Sequence, residues 1–99
     1  MSDKIINKIR SIKHKGLRLL YEKNDSSKLN PDHITKITAI LTRLDTIEVI
    51  EDMNFPGSNL HKLSGDLAEF YSVKVSGNYR IIFRFEDGFV YDIDYLDYH

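Results

Sequence analysis

Residues 70–99 read Phe70-Tyr71-Ser72-Val73-Lys74-Val75-Ser76-Gly77-Asn78-Tyr79-Arg80-Ile81-Ile82-Phe83-Arg84-Phe85-Glu86-Asp87-Gly88-Phe89-Val90-Tyr91-Asp92-Ile93-Asp94-Tyr95-Leu96-Asp97-Tyr98-His99, and this stretch decides the fold. Three strand-like runs are separated by two turn signals, Ser76-Gly77-Asn78 and Glu86-Asp87-Gly88. The odd positions Tyr71, Val73, Val75, Tyr79, Ile81, Phe83, Phe85, Phe89, Tyr91, Ile93 and Tyr95 are apolar or aromatic. The even positions carry Ser72, Lys74, Arg80, Arg84, Asp92 and Asp94. Alternation with period two over this length predicts strands with one buried face and one ionisable face.

Parity also constrains the turns, because directly opposed side chains of an antiparallel pair share a face. A two-residue turn at Asp87-Gly88 sets Phe83 against Asp92 and mixes the faces. A three-residue loop at 86–88, with Gly88 left-handed and a bulge beside it, sets Phe85 against Phe89 and Phe83 against Tyr91. The same reasoning gives Ser76-Gly77-Asn78 as a three-residue loop, with Asn78 at positive φ. The expected product is a meander with Arg80 across from Asp94 and Ile82 across from Asp92.

Outward from this sheet, the chain of 99 residues is long enough for one domain and one modest core. Residues 1–8 are polar and expected to be loose or extended. Ile9 and Ile12 fit a short edge strand, and Ile5 to Ile12 equally fit the start of a helix. Leu17, Leu20 and Tyr21 recur at helical spacing and predict a helix over 15–24. Asn30 as N-cap, Pro31 at the first helical position and Asp32 in the first turn mark a second helix. Its stripe is Ile34, Ile37, Leu41 and Leu44 with Ile40 beside it, and it should end at 45–47. Residues 48–53 fit a helical turn, Leu60 to Leu63 a short strand, and Ser64-Gly65-Asp66 a turn into the meander. Helix, helix, then sheet is an α+β order: two N-terminal helices packed on one face of a small twisted antiparallel sheet.

Composition narrows the chemistry. There is no cysteine, which removes disulfides, thiol nucleophiles and cysteine metal sites. No run is apolar enough for a signal peptide or a membrane span, so a cytoplasmic protein is expected. The net charge of −1 hides a split: ten Lys/Arg against four Asp/Glu in residues 1–43, and four against eleven in 44–99. That is compatible with a basic surface from the first half, or with two solvated lysine-bearing helices.

Three places carry candidate chemistry. His61, between Leu60 and Leu63, is either a half-buried histidine or an acid–base group. Asp97-Tyr98-His99 ends the chain with a carboxylate, a phenol and an imidazole, or is simply a frayed tail. Arg80 is either the partner of Asp94 or a phosphate ligand, for which the guanidinium fork is well shaped; Arg84 competes for that role. Asp92, Asp94, Asp97 and His99 are better explained by charge pairing than by a metal site. The tyrosines fall at core and rim positions, and His14 and His33 fall near helix starts as expected surface residues.

With these residues in place, the chain resembles the HigB group, the killer-protein-like toxins of the RelE superfamily. The resemblance runs from Ile12 almost to the end. Lys13-His14-Lys15-Gly16-Leu17 with Leu20-Tyr21-Glu22-Lys23 is similar to the group's opening. Ile50-Glu51-Asp52-Met53-Asn54 with Leu60-His61-Lys62-Leu63 is similar to its middle. Gly77-Asn78-Tyr79-Arg80-Ile81 and Phe83-Arg84-Phe85-Glu86-Asp87-Gly88 resemble its hairpin, and Asp97-Tyr98-His99 its ending. The group usually has a lysine where this chain has Ser64.

The resemblance implies two helices on an antiparallel sheet and the toxin of a type II toxin–antitoxin pair. It implies a ribosome-dependent endoribonuclease that cleaves messenger RNA by attack of the 2′-hydroxyl on the adjacent phosphate, with no cofactor and no metal. It implies a small helical antitoxin, of helix-turn-helix type, as partner alongside ribosome and messenger RNA. His61, Arg80, Asp97, Tyr98 and His99 are then the catalytic candidates. Lys13, Lys15, Arg18, Lys62 and Arg84 are the candidates for RNA or ribosome contact. The competing expectation, motivated by Ser64, is a catalytically weak protein of the same fold that acts mainly through antitoxin binding and co-repression. Parity adds one requirement: Asp97 and His99 are odd and Arg80 is even, so the strand should break or bend near Leu96 to bring the tail to the arginine.

Overall fold

The structure, a computed structural model, describes residues 7–97. Its elements are α1 (Lys15–Lys23), α2 (Ile34–Asp45), β1 (His61–Lys62), β2 (Phe70–Ser76), β3 (Tyr79–Glu86) and β4 (Phe89–Asp97), with 3-10 turns at Pro31–His33, Ile50–Met53 and Gly65–Leu67. The strands form an antiparallel sheet in the order β1-β2-β3-β4. This is the expected α+β arrangement.

The first described segment is extended, not helical. Ile9 bridges Val90 and Ile12 bridges Ile93, both in parallel. Arg10 N–H donates to the Val90 carbonyl at 2.7 Å, and Lys13 N–H to that of Ile93 at 2.8 Å. An extended segment here satisfies the outer edge of β4, which a helix would leave unpaired. The expected loose start lies mostly outside the described residues; Lys8, at its end, is tied by its N–H to the Asp45 carbonyl and by Nζ to that of Ile47.

Capping residues mark both ends of α1 and open the turn that leads into α2. The His14 ring accepts the Leu17 N–H at 3.2 Å, and Asn24 closes α1 in the left-handed conformation. Asn30 Oδ1 accepts the Asp32 N–H at 2.9 Å, so the turn opens where expected, but its first residues are 3-10 and α2 proper starts at Ile34. The core joins Leu17 of α1 and Ile37, Ile40, Leu41 and Leu44 of α2 to Val73, Val75, Ile81, Phe83, Val90 and Ile93 of the sheet. Burying a side chain such as Phe83 contributes about 1.5–3 kcal/mol.

Both hairpin turns differ from expectation. Glu86 pairs with Phe89 and Phe85 with Val90, so the second turn is the two-residue Asp87-Gly88, with φ of 52° and 84°. That is the primed geometry that matches strand twist. The faces are rescued by an irregularity farther along: the register shifts between Ile82 and Arg84, opposite Asp92 at φ 55°. The bulge exists, but inside β4. Its consequence is that Ile82 lies across from Asp94 and Arg80 across from Leu96, and that Tyr91 moves to the face of Arg84. The first turn is likewise two residues, Gly77-Asn78; Gly77, not Asn78, takes positive φ, at 56°, and the slip falls between Lys74 and Ser76.

His14 and His33 are not surface residues. His33 is 7 % exposed, with Nδ1 hydrogen-bonded to the Tyr95 hydroxyl, and its ring meets Tyr79 at 4.8 Å. His14 is half-buried against Tyr95 at 5.4 Å. Each seals the junction of a helix start with the far end of the β3–β4 hairpin, a contact that local sequence does not encode.

Candidate active site

The face of the sheet away from the helices holds the candidate chemistry. Its register builds three rows across the strands. One is His61, Ser72, Ile82 and Asp94; the next is Lys74, Arg80 and Leu96; the third is Phe70, Arg84 and Tyr91. His61 and Arg80 therefore share a face. They are two strands and one row apart, about 10 Å across the sheet.

His61 is exposed on the two-residue strand β1, which Leu63 N–H anchors to the Phe70 carbonyl at 2.9 Å. Its Nδ1 lies 3.1 Å from the Asn59 carbonyl. A carbonyl only accepts, so Nδ1 holds the proton and Nε2 of the neutral ring is the basic nitrogen. Asn59 reaches this position at φ 49°, a conformation asparagine tolerates.

Arg80 and Arg84 have opposite surroundings. Arg84 donates from Nε to Asp92 Oδ2 at 3.0 Å and from Nη1 to Glu86, with Glu69 at 4.0 Å, and stacks over Tyr91 at 5.2 Å. The hydrogen bonds to Asp92 and Glu86 raise its pKa further, and its charge is compensated locally. Arg80 has no such set. Its Nε and Nη1 are buried without a hydrogen-bond partner, and with Ser72 Oγ they are the buried side-chain polar atoms in that condition among the described residues. Such donors cost stability unless something binds them.

The remaining candidates divide. Lys62 pairs with Tyr71 and stands over its ring at 5.3 Å, on the helix-bearing face and not beside His61. Ser64 is exposed and caps nothing with its side chain. Lys13, Lys15 and Arg18 are exposed at the outer side of β4, where Arg18 Nη1 donates to the Ile12 carbonyl at 3.1 Å. Asp97 is exposed and pairs with Tyr79. Together with burial and Tyr79, it pushes the Tyr95 hydroxyl above its usual range. β4 stays paired through Leu96 and Asp97, so the expected bend does not fall at those residues, and the bulge at Asp92 leaves Asp97 on the face away from Arg80. Tyr98 and His99 lie outside the described residues.

Asp92 is spent on structure: its N–H donates to Ser11 Oγ at 2.8 Å and its carboxylate holds Arg84. Among the described residues no three His, Asp or Glu side chains gather as a metal site, and no helix is long and apolar enough to cross a membrane. Sequence reading missed Ser72. Nothing local distinguishes it from any other polar strand residue, and only its complete burial on the Arg80 face singles it out.

This fold and face define a RelE-like α+β toxin domain. Residues 10–99 match the family described as the RelE-like toxin of the type II toxin–antitoxin system HigB. The chain is 40% identical over 91 residues to Endoribonuclease HigB of Proteus vulgaris, covering 92% of this chain and 99% of that protein. It is 33% identical over 89 residues to Toxin HigB-1 of Vibrio cholerae serotype O1, covering 88% and 93%. The chain belongs to the HigB-like toxin family.

Proposed function

We propose that this chain is the toxin of a type II toxin–antitoxin pair and a ribosome-dependent endoribonuclease that cuts messenger RNA. The observation that carries the reading is Arg80: a guanidinium with two buried, unpartnered N–H groups on the same face as His61. The name of the Proteus vulgaris relative supports the activity. The 2′-hydroxyl gives its proton to a base and its oxygen attacks the adjacent phosphorus. The bond from phosphorus to the 5′-oxygen breaks, and an acid protonates the leaving oxygen. Arg80 holds the phosphate as charge builds on it. His61, with Nε2 basic, fits the base, and His99 takes the acid role. Tyr98 hydrogen-bonds or stacks on the RNA, whereas Asp97, paired with Tyr79 on the helix-bearing face, stays outside the reacting groups. Each proton-transfer role is worth roughly 10²–10⁴-fold. Lys13, Lys15 and Arg18 meet ribosomal RNA, and a helix-turn-helix antitoxin restrains the protein in the cytoplasm. No metal takes part in the reaction.

The test is induction in growing cells with mapping of messenger RNA 5′ ends. Arg80→Ala should lower cleavage by about 10²-fold or more, and His61→Ala by a similar factor. Variants that arrest growth and cut like the parent remove the assignment. A second reading, a catalytically weak toxin-fold protein acting through its antitoxin, is favoured by Ser64, by Lys62 facing away from His61 and by the pairing of Arg84. It predicts no new 5′ ends on induction.

A further inference from the structure

Ser72 is fully buried, and its hydroxyl has no hydrogen-bond partner. A hydroxyl in that condition costs stability; replacing it by a methyl would remove the cost. It lies on the candidate active face, opposite His61 on one side and Ile82 on the other. The pairing of Lys74 with Arg80 makes Arg80 its diagonal neighbour on that face. Diagonal neighbours sit about 7–8 Å apart between backbones, within reach of a long side chain. Arg84 is the other diagonal neighbour, but its Nε and Nη1 are taken by Asp92 and Glu86. The unpartnered groups are complementary: a serine oxygen accepts, and a guanidinium only donates.

We propose that Ser72 is a positioning residue for Arg80. Its Oγ accepts from the guanidinium when the fork turns to meet the RNA phosphate, fixing Nε or Nη1 and leaving the other donors for the phosphate oxygens. The buried hydroxyl is kept for this at a cost in stability. The inference rests on the phosphate role given to Arg80 above.

The test compares Ser72→Ala with the parent in three measurements. In cleavage of messenger RNA in a translating extract, Ser72→Ala should be slower by roughly 3- to 30-fold, the range for residues coupled through one network. Its thermal midpoint should equal or exceed the parent's. With a 2′-O-methyl oligonucleotide bound, the Arg80 guanidinium N–H signals of isotope-labelled protein should be protected from exchange in the parent and lose part of that protection in Ser72→Ala. Parental cleavage by Ser72→Ala overturns the proposal. So does a slower variant with an unchanged Arg80 signal, a parent whose Arg80 signal is already unprotected, or a loss of rate that tracks a fall in midpoint. The underlying reading fails separately: Arg80→Ala then cuts like the parent.

Discussion

Asp92 sits at φ 55° with a side chain, a conformation that costs an ordinary residue about 1–2 kcal/mol. It is held there from two sides, by Ser11 and by Arg84. Asp92→Ala keeps the backbone strain and the N–H bond to Ser11 Oγ but loses the carboxylate's bonds from Arg84 and Ser11, so it should destabilise by about 1–3 kcal/mol. Asp92→Gly loses the same partners without the strain and should be less harmful by about 1 kcal/mol. Urea unfolding of the two variants checks the order; equal losses would mean that the backbone conformation carries no cost. At the same scale, the contrast between the two arginines separates structure from chemistry. Arg84 is compensated by carboxylates and braces the hairpin, whereas Arg80 Nε and Nη1 are buried with no partner among the described residues. Sequence alone left them as rivals because both occupy even positions of one strand.

At the scale of elements, the β3–β4 hairpin turns on two residues of positive φ, Asp87 and Gly88. Gly88→Ala places a side chain at φ 84° and should lower stability by about 1 kcal/mol or more, read as a shift in denaturation midpoint. Asp87→Asn keeps a residue suited to this turn and should leave the midpoint nearly unchanged. Parity alone favoured a bulge at the turn. It could not see that the N-terminal segment, bonded to Val90 and Ile93, fixes the bulge five residues farther along. The second helix was legible because Asn30 and Pro31 mark its start and its apolar stripe has period 3.6. The short strand β1 was legible too, but its pairing with Ser72, which puts His61 on the Arg80 face, comes from a contact eleven residues away.

For the whole molecule, tyrosines tie the helices to their surroundings. Burial, then the hydrogen bond and charge of Asp45, push the Tyr21 hydroxyl well above its ordinary 10.0. Tyr95 moves in the same direction, chiefly through burial. A raised folded-state pKa favours the fold below the unfolded value and loses that contribution as pH climbs through the folded one. Stability should therefore fall above about pH 10, where the unfolded chain releases these protons and the fold must keep them. Denaturation midpoints followed from about pH 8 to about pH 11 should drop more gently in Tyr21→Phe than in the parent; parallel curves would exclude Tyr21 as a source.

The sequence by itself determined the main elements, their order, the apolar face of β2 and β3 and the residues that carry the family resemblance. Those rest on local periodicity and capping, which are properties of neighbouring residues. Tertiary structure decided the register of β4, the burial of His33, the pairing of Arg84 and the isolation of Ser72 beside Arg80. Each of these depends on which distant groups meet: Ser11 at Asp92, Tyr95 at His33, and β1 at Ser72. A hydrogen bond satisfied or left open by a distant partner has no signature in the residues around it.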